Sequence, residues 1–376
     1  MISVKDSPYC AVGDGITDDT QAIQSAIRAV EELGGGHLFF PNGNYLTTGN
    51  ITVLGSFVTL VGEHRMSAKL YVNHPSNTLL SLVGWDNNIK SLGFESVGPR
   101  TSGTHVHLLG VRSVIEDFYI NNDFTGIHMT GTSSKILHGL MTTGLFNGTR
   151  ILVDGGDTSQ LIDGVTIGAQ DGPKPAFGIK VVDSAALIIS NTNVLTAGIC
   201  LGLVPGWGQG VYSLYASNCF FDSSNTGIMA VSSNNGNISR CRFIGCWTGG
   251  NTGNGVDLRK DGTGDCTGLH FVEHHALNNN LSGFSVGTGV TDFSLNGGNV
   301  AGNDYGVWIS QGVTDFSIQN STIGYGGGMV ANRKWGVFLN NYCNRYLITG
   351  NRMIYNPSGR CNVVSNEFGT VVNNIG

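Results

Sequence analysis

Asp257 stands in the run "GVDL" at residues 255–258, where glycine is followed by an apolar, a variable and an apolar residue. The same pattern recurs at Gly126, Gly178, Gly198, Gly227, Gly283, Gly306 and Gly336. Alternate side chains of an extended strand face opposite ways, so with the apolar pair inward the variable residue points out. The outward residues are then His128, Lys180, Cys200, Met229, Asp257, Ser285, Trp308 and Phe338. Asp257 is the carboxylate of that column, and Trp308 follows two repeats later. Cleavage of a glycosidic bond needs two carboxyl groups, one protonated and one ionised, roughly 5–10 Å apart. An aromatic ring beside an acid suits the apolar C–H faces of pyranose rings.

Asp222 is the expected second carboxyl, because it ends the preceding strand of an adjacent coil. The loop at 245–254 carries Trp247 into the same edge, Asp304 and Tyr305 precede Gly306 there, and Arg259 lies two residues beyond Asp257. Trp308, Trp247 and Arg259 are therefore the expected substrate-binding residues. Glu273, in "LHFVEHHAL", takes a corner position held by Asn191 and Asn320 in other repeats. The alignment places Arg240 one coil before it. An arginine there would lower a carboxyl pKa, so Glu273 ranks third among the catalytic candidates. A separate acid cluster is Asp154, Asp157 and Asp183, with Trp207 one coil on. Asp117, Asp292 and Asp315 recur at one turn position and read as turn formers. His270 and His274 have the spacing that keeps one strand face and, with Glu273 and His275, raise a metal site. No H-E-x-x-H pattern accompanies them, so neither metal nor cofactor is expected.

The elements that hold these residues are repeats. "GVTDFSLN" at 289–296 returns as "GVTDFSIQ" at 312–319. After each glycine-led run come two short strands around a polar corner, as in "ALIISNTNV" and "YLITGNRMI". Short strands at a period of roughly 20–30 residues describe the coils of a parallel β-helix, about a dozen of them here. Corner asparagines then hydrogen-bond up and down the stack. Composition agrees. Glycine numbers 57 of 376 residues and charged residues only 12%, which suits many strands joined by tight turns. A net charge of −6 without a basic run argues against nucleic acid. No apolar run is long enough for a membrane span, and no signal peptide is evident. The eight cysteines lack C-x-x-C spacing, which argues against zinc and against a disulfide framework.

"GDGITDDTQAIQSAI" at 13–27 reads as the start of a helix. Ile23, Ala26, Ile27, Val30 and Leu33 share one face, Thr17 stands at the N-cap, and Asp18 and Asp19 fall in the first turn. Gly34 to Gly36 end it. A β-helix leaves unpaired backbone groups at its open end, and an amphipathic helix laid across that end covers them. Residues 1–37 are thus the N-terminal segment with the capping helix, and residues 38–376 the β-helix.

The run from GDGITDDT through the triple glycine to "LFFPNGNYL" at 38–46 resembles the start of the pectate-lyase-like right-handed β-helix family. Its bacteriophage tailspike and capsule-depolymerase members are the nearest in character. The resemblance implies an all-β, right-handed parallel β-helix with a short N-terminal capping α-helix. It also implies a homotrimer that binds and hydrolyses a bacterial surface polysaccharide, either on a virion tail or as a secreted, cell-encoded relative. The N-T-D, G-H-G and R-I-K motifs of polygalacturonases and the arginine motif of pectate lyases are missing. No head-binding domain is expected before residue 13, and no trimerisation domain after residue 360. A polysaccharide lyase, drawing positive charge from Arg240, Arg242, Arg259 and Lys260, and a non-catalytic carbohydrate-binding spike remain as alternatives.

Overall fold

The computed structural model describes residues 1–142, 144–155, 159–168, 174–325, 330–363 and 369–375. Among them a single helix, Thr20–Glu32, interrupts an otherwise all-β chain. The chain forms two compact units, Met1–Ile179 and Lys180–Gly376, and each is a three-faced parallel β-solenoid.

In the first unit, Gly36–Phe40, Val58–Gly62, Asn88–Lys90, Val114–Glu116, Lys135–Leu137 and Leu161–Asp163 stack on one face. Their register puts Leu38, Leu60, Ile89, Ile115, Ile136 and Ile162 in one inward column, every member at most 1% exposed. Stacking like on like keeps the apolar surface continuous, and burying such side chains contributes about 1.5–3 kcal/mol each. A second face runs through Asp14–Asp18, Gly43–Thr47, Ala68–Val72 and Gly93–Ser96. A third comprises Ile51–Val53, Leu80–Leu82, Thr104–Leu108, Asp123–Met129 and Gly144–Asp154.

The second unit repeats the plan. Asn237–Ile244, Cys266–Val272, Thr291–Asn296, Thr314–Gln319 and Asn344–Thr349 make its first face. Phe220–Asp222, Trp247–Gly249 and His275–Leu277 belong to its second. Ile199–Leu203, Thr226–Ser232, Val256–Lys260, Ser282–Val286, Tyr305–Ile309 and Trp335–Leu339 make its third.

The cap lies where the open end requires it, but its helix starts two residues later than the sequence suggests. Thr17 and Asp18 are still strand, and Asp19 is the N-cap residue. Asp19 is buried and its carboxylate accepts from the backbone N–H groups of Val12 and Gly13, not from the helix. Asp14 folds the preceding turn by accepting from Ile16 and Thr17. The helix then closes the end of the solenoid with side chains that imitate a strand. Gln24 exchanges hydrogen bonds with both the N–H and the C=O of Thr52, each at 2.9 Å, and Glu31 accepts from Leu54 and Gly55. Ile2–Ser3 pairs with Leu38 and Phe39, so residues ahead of the helix already belong to the first coil.

Two corners use asparagine for different reasons. Between the first and second faces of the second unit, Asn191, Asn218 and Asn320 have φ near +50°, and Gly245, Gly297 and Gly350 take the same position in other coils with positive φ. Asparagine and glycine tolerate this left-handed conformation best. The hydrogen-bonded ladder lies instead between the second and third faces. Asn251, Asn279, Asn303, Asn332 and Asn356 each link to the next through side-chain amides at 2.8–3.1 Å, all buried. Asn279→Ala strands the amide of Asn251 and the carbonyl of Thr248. We expect it to lower stability by about 1–3 kcal/mol in denaturant unfolding, while exposed Asn280→Ala stays near wild type.

Candidate active site

Asp257 occupies the outward column of the third face, as its repeat position requires. Met229, Asp257 and Ser285 are in register, followed by Trp308 and Phe338. Its side chain is only 15% exposed. Burial pushes its carboxyl above the usual carboxylate range; Arg259, 3.3 Å away, opposes the rise and the charge of Asp261 adds to it. Arg259 also reaches Asp261 at 3.6 Å, so one guanidinium lies between two carboxyl groups. Asp261 escaped the sequence reading because it falls beyond the repeated four-residue pattern.

Trp308 stacks on Phe338 with ring centroids 4.8 Å apart and planes 20° from parallel. Tyr305 meets both rings edge-on, and the Lys334 ammonium sits 4.9 Å above the Tyr305 ring. Asp304 is neutralised by Arg333 and Lys334, at 2.5 and 3.0 Å. Acid and aromatic platform thus share one face of one unit.

The other candidates separate. Asp222 lies outward on the second face, where it accepts from the indole N–H of Trp247 at 3.0 Å and from Ser223. The structure brings Asp222 and Trp247 together but leaves them across a corner from Asp257. Glu273 stands at the opposite corner with φ +49°. The residue stacked before it is Gly245 and not Arg240, which lies opposite Gly268, so the expected ion pair is absent. Cys200 is fully buried: Leu201 pairs with Ile228, which shifts that coil by two residues and gives the outward position to Gly202. His270 faces out while His274 is buried in the corner, so the two do not share a face. Among the described residues no three His, Cys, Asp or Glu side chains gather into a metal site. Asp154 ends a strand of the first unit, Asp183 lies in the second unit with its carboxylate accepting from Gly210, and Asp157 falls outside the described residues.

A pair that the repeat search passed over lies on the third face of the first unit. His107 and His128 are in register and stack with centroids 4.4 Å apart and planes 5° from parallel. Burial and the neighbouring His128 hold His107 down to about 4, and burial lowers His128 despite the charge of Asp154. Both are neutral imidazoles at neutral pH. The signal for His107 was the apolar alternation of "THVHL", hidden because its coil lacks the leading glycine.

Residues 1–259 match the family profile described as rhamnogalacturonase A/epimerase, pectate lyase-like. The chain belongs to this family. A stretch of 102 residues, 27% of the chain, is 34% identical to the mannuronan C5-epimerase AlgE2 of Azotobacter vinelandii and spans 10% of that protein. The A-module of the mannuronan C-5 epimerase AlgE4 of the same organism has the same fold. Its TM-score is 0.73 at 15% identity, covering 99% of this chain and 100% of that one. The tailspike of E. coli bacteriophage HK620, solved with a pentasaccharide, matches over 93% of this chain and 75% of its own at TM-score 0.58 and 12% identity.

Because the folded protein favours protonated Asp257, ionising this group costs stability as pH rises past the ordinary aspartate range. Asp257→Asn should therefore be more stable than wild type at neutral pH. The difference should vanish in acid, where both side chains are neutral, and parallel unfolding curves at the two pH values read it directly.

Proposed function

We propose that the chain binds and hydrolyses a bacterial surface polysaccharide as an endo-glycosidase, with Asp257 as proton donor. The observation that carries this reading is the largely buried carboxyl with a raised pKa in the same outward column as the Trp308 platform. Membership in a family described by a rhamnogalacturonase and an epimerase supports a carbohydrate substrate, as does the likeness to a tailspike solved with a pentasaccharide. Asp257 in its protonated form gives its proton to the glycosidic oxygen as the bond from the anomeric carbon breaks. Water adds at that carbon and loses its proton to a second carboxylate. Asp261, across Arg259, is the nearer partner for that role, and Asp222 with Trp247 is the alternative.

Asp257→Asn should abolish release of new reducing ends from capsular, exopolysaccharide or O-antigen preparations by several orders of magnitude while leaving binding intact. Full activity in that variant overturns the assignment. A second reading, a polysaccharide lyase, is favoured by the stacked His107 and His128, which offer neutral bases for proton abstraction. It predicts an unsaturated, ultraviolet-absorbing product that His128→Ala removes.

The assembly we propose is a homotrimer on a virion tail or in the extracellular medium. Leu54, Phe57 and Trp85 stand 68%, 60% and 59% exposed on the first unit, with Phe57 and Trp85 joined by a 2.9 Å backbone hydrogen bond, and grouped exposed apolar side chains mark an interface or a ligand site. Among the described residues no helix is long and apolar enough to cross a membrane. Light scattering at micromolar concentration should give three times the chain mass; a monomer mass refutes it.

A further inference from the structure

We infer that Ser285 keeps open a slot, one coil deep, that receives a single pyranose ring between Asp257 and Trp308. The inference rests on the glycosidase reading and adds which residue shapes its substrate site. Asp257, Ser285 and Trp308 are consecutive members of one outward column. Parallel strands stack about 4.8 Å apart, so the backbones of Asp257 and Trp308 lie about 10 Å apart with only a hydroxymethyl group between them. Phe338 covers one face of the Trp308 ring and Tyr305 closes its edge. The other ring face is turned toward the coil of Ser285. A ring stacked there at van der Waals distance lies beside the carboxyl of Asp257 and the guanidinium of Arg259. The two column members on either side of Ser285, Met229 and Asp257 before it and Trp308 and Phe338 after it, all have longer side chains. A large residue at 285 would continue the aromatic stack and fill the slot.

The experiment uses the full chain labelled with fluorotryptophan. The Trp308 fluorine resonance is assigned from Trp308→Phe and followed during titration with mannuronan, polygalacturonate and dextran oligosaccharides. Wild type, Ser285→Ala and Asp257→Asn should show a Trp308 shift with at least one probe. Ser285→Phe should weaken that binding on the order of tenfold or more with unchanged circular dichroism, and Ser285→Leu serves if the phenylalanine variant does not fold. Binding unchanged in these variants, or a Trp308 signal that moves with none of the probes, overturns the slot. Reducing ends measured in the same samples separate the two readings. A Trp308 shift without cleavage removes the glycosidase and leaves a sugar-binding slot. Cleavage with an unmoved Trp308 removes the slot and leaves the glycosidase.

Discussion

Parallel strands of successive coils lie directly above one another, with one spacing and no freedom to slide. A one-residue slip in register would turn every side chain of a coil to the wrong face. Within each unit the inward positions therefore stack on side chains of their own kind. Phe243 stacks on Phe271 with ring centroids 4.6 Å apart, and the ladder from Leu38 to Ile162 is aliphatic throughout. The same constraint acts on the backbone at the turn after the third face of the first unit. A Cβ on Gly84 would come within 1.9 Å of the carbonyl oxygen of Gly55, and Gly110 and Gly131 repeat the contact. Only glycine permits coils to approach so closely.

A stack so regular makes its polar interior conspicuous. Asp123 and Arg150 form an ion pair with both side chains at most 1% exposed, near buried Arg100 and His105. Burial raises the carboxyl of Asp123 to about 6 in spite of Arg150, and holds the His105 imidazole down to about 3. Such a pair costs desolvation energy that its attraction only partly offsets, so it speaks for local specificity of that coil more than for stability.

The stacking also explains why the candidate site residues lie on the third face of each unit. Outward residues are free of packing demands, so that column can vary from coil to coil while the inward columns cannot. Asp257, Ser285 and Trp308 differ in size and charge, yet their backbones are interchangeable. Burial is the largest cause of the raised Asp257 carboxyl, with Asp261 adding to it and Arg259 opposing it.

Much of this was legible in the chain itself. The glycine-led apolar alternation specified strands, faces and the outward positions of Asp257, Ser285, Trp308 and Phe338, because side-chain direction in a strand follows from spacing alone. The amphipathic run after Asp19 specified a capping helix by the same logic. What spacing does not contain is the path around the corners. Turns of unequal length shifted the Cys200 coil by two residues, placed Gly245 instead of Arg240 before Glu273 and turned His274 into the corner while His270 faces out. The two kinds of asparagine corner look alike as sequence, since a left-handed φ and a buried amide ladder both select asparagine. The stack of His107 on His128 and that of Trp308 on Phe338 depend on distances across coils. Local residue types determine which way a side chain points; only the closed, stacked backbone decides which side chains meet.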